Sequence, residues 1–139
     1  MKTRAATGRW GVRLIGTAFA FVTVAASAHH SFAAFFDHEK DISVHGKVTE
    51  FHFANPHGMI AIEVTNPDGT KTVWKGETNS PSAMLRRGWT KNSVKVGDTV
   101  TIDGWPARDG ARYVRIRELK GADGKPVGKP TDLASEYKQ

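Results

Sequence analysis

The 139-residue sequence contains no cysteine. That excludes disulfides, a thiol nucleophile, a thiolate metal site and a lipid-modified cysteine. Long hydrophobic runs are also missing. The longest apolar stretch, Leu14 to Ala25, is about a dozen residues, short of the roughly 20 that span a bilayer. No Gly-x-Ser-x-Gly elbow, phosphate-binding glycine loop or dinucleotide fingerprint occurs. Asp98 and Asp103 sit in the turn and strand contexts of an ordinary surface, so no enzyme is expected. Acidic residues are absent from the whole segment before Asp37.

That segment has the grammar of an export signal. Lys2, Arg4, Arg9 and Arg13 precede the apolar stretch, and Ala26-Ser27-Ala28 follows as a small-x-small cleavage site. Residues 1–28 are therefore expected to be a cleaved secretory signal peptide. Cleavage is expected after Ala28, with Ala26 as the alternative. The predicted product is periplasmic or secreted and keeps no stable membrane anchor.

Removing the signal changes the charge argument. The formal net charge of +6 includes four signal cations, and from His29 onward 16 Lys+Arg face 14 Asp+Glu. So small an excess argues against a nucleic-acid partner, which is expected to be absent. The 111 residues from His29 to Gln139 suit one domain with one core.

The periodicity is that of short strands. Ile42, Val44 and Val48 alternate with His45 and Lys47; Phe51 and Phe53 then continue the apolar set out of phase, which predicts a bulge near Thr49-Glu50. Turns are expected at Asn55-Pro56-His57-Gly58, where Pro56 presets φ and Gly58 can turn left-handed, and at Asn66-Pro67-Asp68-Gly69. Ile60, Ile62 and Val64 face inward on a second strand, and Lys71 to Thr78 forms a third. Ser80 reads as an N-cap, Pro81 as the first helical residue and Gly88 as the stop of a short helix capping the core through Met84, Leu85 and Trp89. Strands four and five run through Thr99–Trp105 and Tyr113–Arg117. Three strands, a helix and two strands with a bent first strand give a mainly β fold, a small five-stranded OB-like barrel over 42–120. An open α+β sheet is the alternative. Residues 29–41 form an N-terminal segment and 121–139 a flexible tail.

All six histidines (His29, His30, His38, His45, His52 and His57) fall within 29 residues. Histidine binds metals and titrates near neutrality. Together with their neighbours, Ala28-His29-His30-Ser31-Phe32, Asn55-Pro56-His57, and Ser80-Pro81 followed by Leu85-Arg86-Arg87-Gly88-Trp89 resemble a family of short exported bacterial proteins, domain of unknown function 6152. The resemblance spans about His29 to Leu119. It implies export and a small single domain and brings no activity. The chain departs from it at Phe36, where an acidic or polar residue is expected.

Two site readings follow from the residues. If the mature chain starts at His29, its α-amine and imidazole chelate one ion, completed by a second imidazole, His57 first, with His30 also in the ligand set and His52 as a secondary candidate; nitrogen ligands in a near-planar set favour copper(II). A start at Ser27 instead puts histidine third, another copper(II) arrangement. His38 and His45 are expected to be solvated surface. The alternative is a metal-free module binding an anionic ligand, a protein or haem on its outer face. Its candidates are Trp74, Trp105 and Tyr113 with Arg112, Arg115 and Arg117, although three arginines on an outward strand are also an ordinary solvated stripe. Arg86 and Arg87 suit a helix C-terminus without any ligand.

Overall fold

A computed structural model of the chain describes residues 32–136. The elements are α1 (Phe32–Phe35), β1 (Ile42–His52), β2 (Met59–Thr65), β3 (Lys71–Glu77), α2 (Pro81–Arg86), β4 (Thr99–Pro106), β5 (Tyr113–Gly121) and α3 (Leu133–Glu136). The strands close in the order β1-β2-β3-β5-β4. All neighbours are antiparallel except β3 and β5, which run parallel. This is the expected five-stranded OB-like barrel, and the closure rules out the open sheet.

β1 belongs to both halves of the barrel because it bends. Its first half pairs with β4 through Lys47↔Thr99, and its second half pairs with β2 from Lys47↔Glu63 onward. The register shift between Val48 and Glu50 is the expected bulge. The bend also needs Gly46, where a Cβ would lie 2.5 Å from the Glu63 carbonyl oxygen. Phe51 and Phe53 re-enter the core after the bulge, leaving His45 and His52 exposed.

Ile60, Ile62, Val100, Ile102, Val114, Ile116 and Leu119 fill the barrel. Met84 and Trp89 close one end, whereas Leu85, expected beside them, is exposed. Pro81 does begin the helix, but the Ser80 hydroxyl makes no capping hydrogen bond and lies 3.2 Å from the Ser82 hydroxyl instead.

Both ends of the described chain depart from expectation. Phe36, out of place as a surface residue, is 5% exposed and stacks on Tyr113 at 5.6 Å between centroids. The Asp37 amide donates to the Pro106 carbonyl, docking residues 32–37 on the β4–β5 corner. Lys40 hydrogen-bonds Asp37, the main reason its carboxyl lies below the usual range. The tail expected to be flexible packs back as far as Glu136. Val127, Lys129 and Thr131 donate backbone hydrogen bonds to Leu119, Arg87 and Arg117, and Thr131 and Glu136 are buried. Among the described residues no helix is long and apolar enough to cross a membrane.

Candidate functional site

On β3 the inward set is Trp74 and Gly76, so Lys75 and Glu77 face out. β5 runs beside it with Lys75↔Tyr113 and Glu77↔Arg115 in register. The outer surface of this parallel seam therefore carries Lys75, Glu77, Tyr113 and Arg115, and a polar network grows from it.

Glu77 is its centre. Oε1 accepts from His57 Nδ1 at 2.7 Å and from Arg115 Nη1 at 2.8 Å, and Oε2 accepts from the Tyr113 hydroxyl at 2.5 Å. A carboxylate only accepts, so the His57 proton in this bond is on Nδ1 and Nε2 is the nitrogen Glu77 leaves unengaged. Burial, and then the bond to Glu77, push the Tyr113 hydroxyl well above its ordinary pKa, keeping it a neutral donor. Arg115 also donates to the Thr78 carbonyl at 2.7 Å and to Glu136 from Nε and Nη2 at 2.8 and 2.7 Å. Asn79 Nδ2 donates to the other Glu136 oxygen at 3.1 Å, and Asn79 Oδ1 accepts from Arg87 at 2.9 Å. Arg87 also donates to the Thr131 hydroxyl.

The β1–β2 turn delivers His57. Asn55-Pro56 is a cis peptide. Gly58 does not use the left-handed freedom open to it; it is required because a Cβ there would lie 2.5 Å from the Thr78 hydroxyl. The Gly58 amide donates to the Asn79 carbonyl at 3.1 Å and the Thr78 amide returns a bond to Gly58 at 2.8 Å. These clamp the turn against the end of β3, beside Glu77.

Next to the network a groove of about 500 Å³ opens between α1, β3 and the β4–β5 loop. Lys75, Arg108, Arg112, Phe35 and Tyr113 line it. Arg108 fixes its wall by donating to the Ala33 carbonyl at 2.8 Å, while Phe35 stays 54% exposed. The lining acid Asp109 accepts from the Ala111 amide at 2.9 Å.

The two site readings fare differently. His29 and His30 lie outside the described residues. Among the described residues no three His, Asp or Glu side chains gather to hold a metal ion. His57 is held by Glu77, His52 sits exposed 3.4 Å from Glu50, and His45 is exposed beside Thr101. His38, expected in solvent, is half-buried with its ring 6.4 Å from that of Phe32. Of the outer-face candidates, Arg112 and Tyr113 line the groove. Trp105 is buried under Phe32, and Trp74 turns toward the core. Arg115 is 4% exposed, the reverse of a solvated stripe; Arg117 is half-exposed near Asp41. Sequence pattern alone passes over Glu77, Asn79, Glu136, Lys75 and Arg108. Only Lys75 and Glu77 carry a local signal, as the polar phase of β3.

The pattern of the Family of unknown function (DUF6152) matches residues 18–115. The chain belongs to this family. No curated protein sequence matches it. Among solved structures, the fold is similar to the mitochondrial single-stranded DNA binding protein Rim1 from S. cerevisiae, at 13% identity and TM-score 0.47, covering 60% of this chain and 93% of that one. It is also similar to a small single-stranded DNA-binding protein from Streptomyces coelicolor, at 17% identity and TM-score 0.38, covering 68% and 93%. These likenesses concern the fold. They nevertheless correct the expectation that nucleic acid is excluded as a partner: comparable barrels occur in proteins that bind single-stranded DNA. The physical weakness of that exclusion is that net charge averages over the surface, whereas Lys75, Arg108 and Arg112 converge on one groove.

Proposed function

We propose that this member of the family is an exported binding protein whose barrel takes a small organic anion in the groove beside Tyr113. The observation that carries this reading is the convergence of Lys75, Arg108 and Arg112 around a cleft that also exposes Phe35. Lys75 and Arg112 attract the anion, Arg108 adds to them although Asp37 lies 3.5 Å from its guanidinium, and the aromatic edge favours an apolar body on it. OB-type barrels use the β2–β3 face and the β1–β2 and β4–β5 loops for ligands, and the groove is built on two of those elements, β3 and the β4–β5 loop. Calorimetric titration with benzoate and with inorganic phosphate tests it. Benzoate should bind more tightly, and Lys75→Ala or Arg112→Ala should each weaken it by about 10-fold or more, the loss of one charge-assisted hydrogen bond. Absence of saturable binding, or indifference to both substitutions, would refute the groove as the site. Export predicts that protein recovered from its own cell begins at His29, read by intact mass.

A second reading rests on His57. A histidine whose Nδ1 is held by a carboxylate is oriented as metal-ligating histidines are, and His29 with its α-amine would complete a copper(II) site. Processed protein should then bind copper(II) with submicromolar affinity. One added N-terminal residue, or His57→Ala, should weaken binding strongly; unchanged isotherms in both cases would rule this out.

A further inference from the structure

Arg115 and Glu136 are the two most deeply buried charges in the network, with side-chain exposures of 4% and 1%. They come from different kinds of structure. The Arg115 side is rigid: the guanidinium is fixed by Glu77 Oε1 at 2.8 Å and by the Thr78 carbonyl at 2.7 Å, and Asn79 is fixed by Arg87 at 2.9 Å. Those partners lie on β3 or just after β3 and α2, and the Thr131 hydroxyl adds a bond to Asn79 Oδ1 at 3.1 Å, so the cradle keeps its shape as long as the chain stays docked up to Thr131. Three donors are left for one carboxylate: Arg115 Nε and Nη2, and Asn79 Nδ2.

The Glu136 side is a pendant. It stands on α3, a single turn of four residues in which Ala134 is exposed and Leu133 half-buried. One helical turn has little stability of its own, and so small an apolar face adds little more. The backbone hydrogen bond from Thr131 to Arg117, at 2.7 Å, ties the chain to the barrel five residues before Glu136. Departure of Glu136 would not strand the guanidinium, because Glu77 still faces it.

We propose that Arg115 and Asn79 form a carboxylate-binding site, occupied by Glu136 as a latch, and that an external carboxylate takes the same three donors when α3 lifts. The ligand class is a carboxylate on an unbranched chain, matching the side chain that occupies the site. It comes either as a free small acid or as an acidic residue of a peptide. This site is separate from the Lys75–Arg112 groove and does not depend on it.

The test uses full-length Glu136→Ala protein, with Glu136→Gln as a second variant that keeps the shape and removes the charge. Both should melt below the wild type. Propionate at about five times its Kd should raise the Tm of the variants by about 4 to 8 °C, while propionamide and sodium chloride should not, and the wild type should respond far less. Adding Asn79→Ala to either variant should remove most of this rescue. A peptide of residues 130–139, against the same peptide with glutamine at the Glu136 position, separates the sources. Binding of the acidic peptide but not propionate assigns the site to peptides; the converse assigns it to free acids. Failure of both ligands to act on either variant, or equal action on wild type and variants, would overturn the proposal.

Discussion

At the residue scale, Tyr113 shows how one side chain joins two surfaces. Its ring lines the groove and stacks on Phe36, while its hydroxyl is spent on Glu77. Because folding raises its pKa, the neutral form is favoured in the native state. Its contribution to stability is therefore complete below the ordinary value of 10.0, falls as the pH rises above that value and is gone once the folded pKa is passed. Urea unfolding between pH 8 and 12 should show Tyr113→Phe losing stability at the low end of that range but declining less steeply toward the high end; parallel alkaline limbs would disprove the assignment. None of this is legible locally. Tyr113 and Arg115 read as outward residues of a strand, which they are, but the partners that bury them are Glu77 on another strand and Glu136 in a stretch whose composition resembles a solvated tail. Local pattern reports which face a side chain takes and not what later covers that face.

At the element scale the sequence is far more informative. Alternation, turn residues and the phase slip between Val48 and Phe51 locate every strand and the bulge in β1, since each is a short-range consequence of side-chain period and backbone preference. What escapes is the contribution of Gly46, because a glycine in an alternating strand does not reveal which backbone it approaches. The close contact with Glu63 makes it specific. Gly46→Ala should cost about 1 to 3 kcal/mol through overpacking where β1 passes from β4 to β2, measured by chemical denaturation. A neutral or stabilising result would mean that the bend depends on the bulge alone. The β4–β5 hairpin carries a separate pH signature. Burial opposes ionisation of Asp103, but hydrogen bonds from Lys120 and Ser43 outweigh it and its pKa lies below 3.8. The pair thus adds stability above that value and loses it as the pH falls through the depressed one.

At the scale of the whole molecule, the barrel is wrapped at β5 by both ends of the described chain. Phe32–Asp37 covers the Tyr113 end and Thr131–Glu136 covers Arg115. The N-terminal segment, which sequence pattern places outside the barrel, thus behaves as part of its core. Phe36→Ala should cost about 3 kcal/mol or more in a single unfolding transition, and a loss below about 1 kcal/mol would mark the segment as an appendage. The parallel seam under these wrappings is short: β3 and β5 pair over only Lys75, Gly76 and Glu77. A ring opens where its join is briefest, so amide hydrogen exchange in the native state should identify this stretch as the first to breathe. The groove lies at the open end of that join. A molecule bound there would act as a rivet, and the slowing of exchange at Gly76 and Val114 on adding it would report occupancy for a ligand of any chemistry.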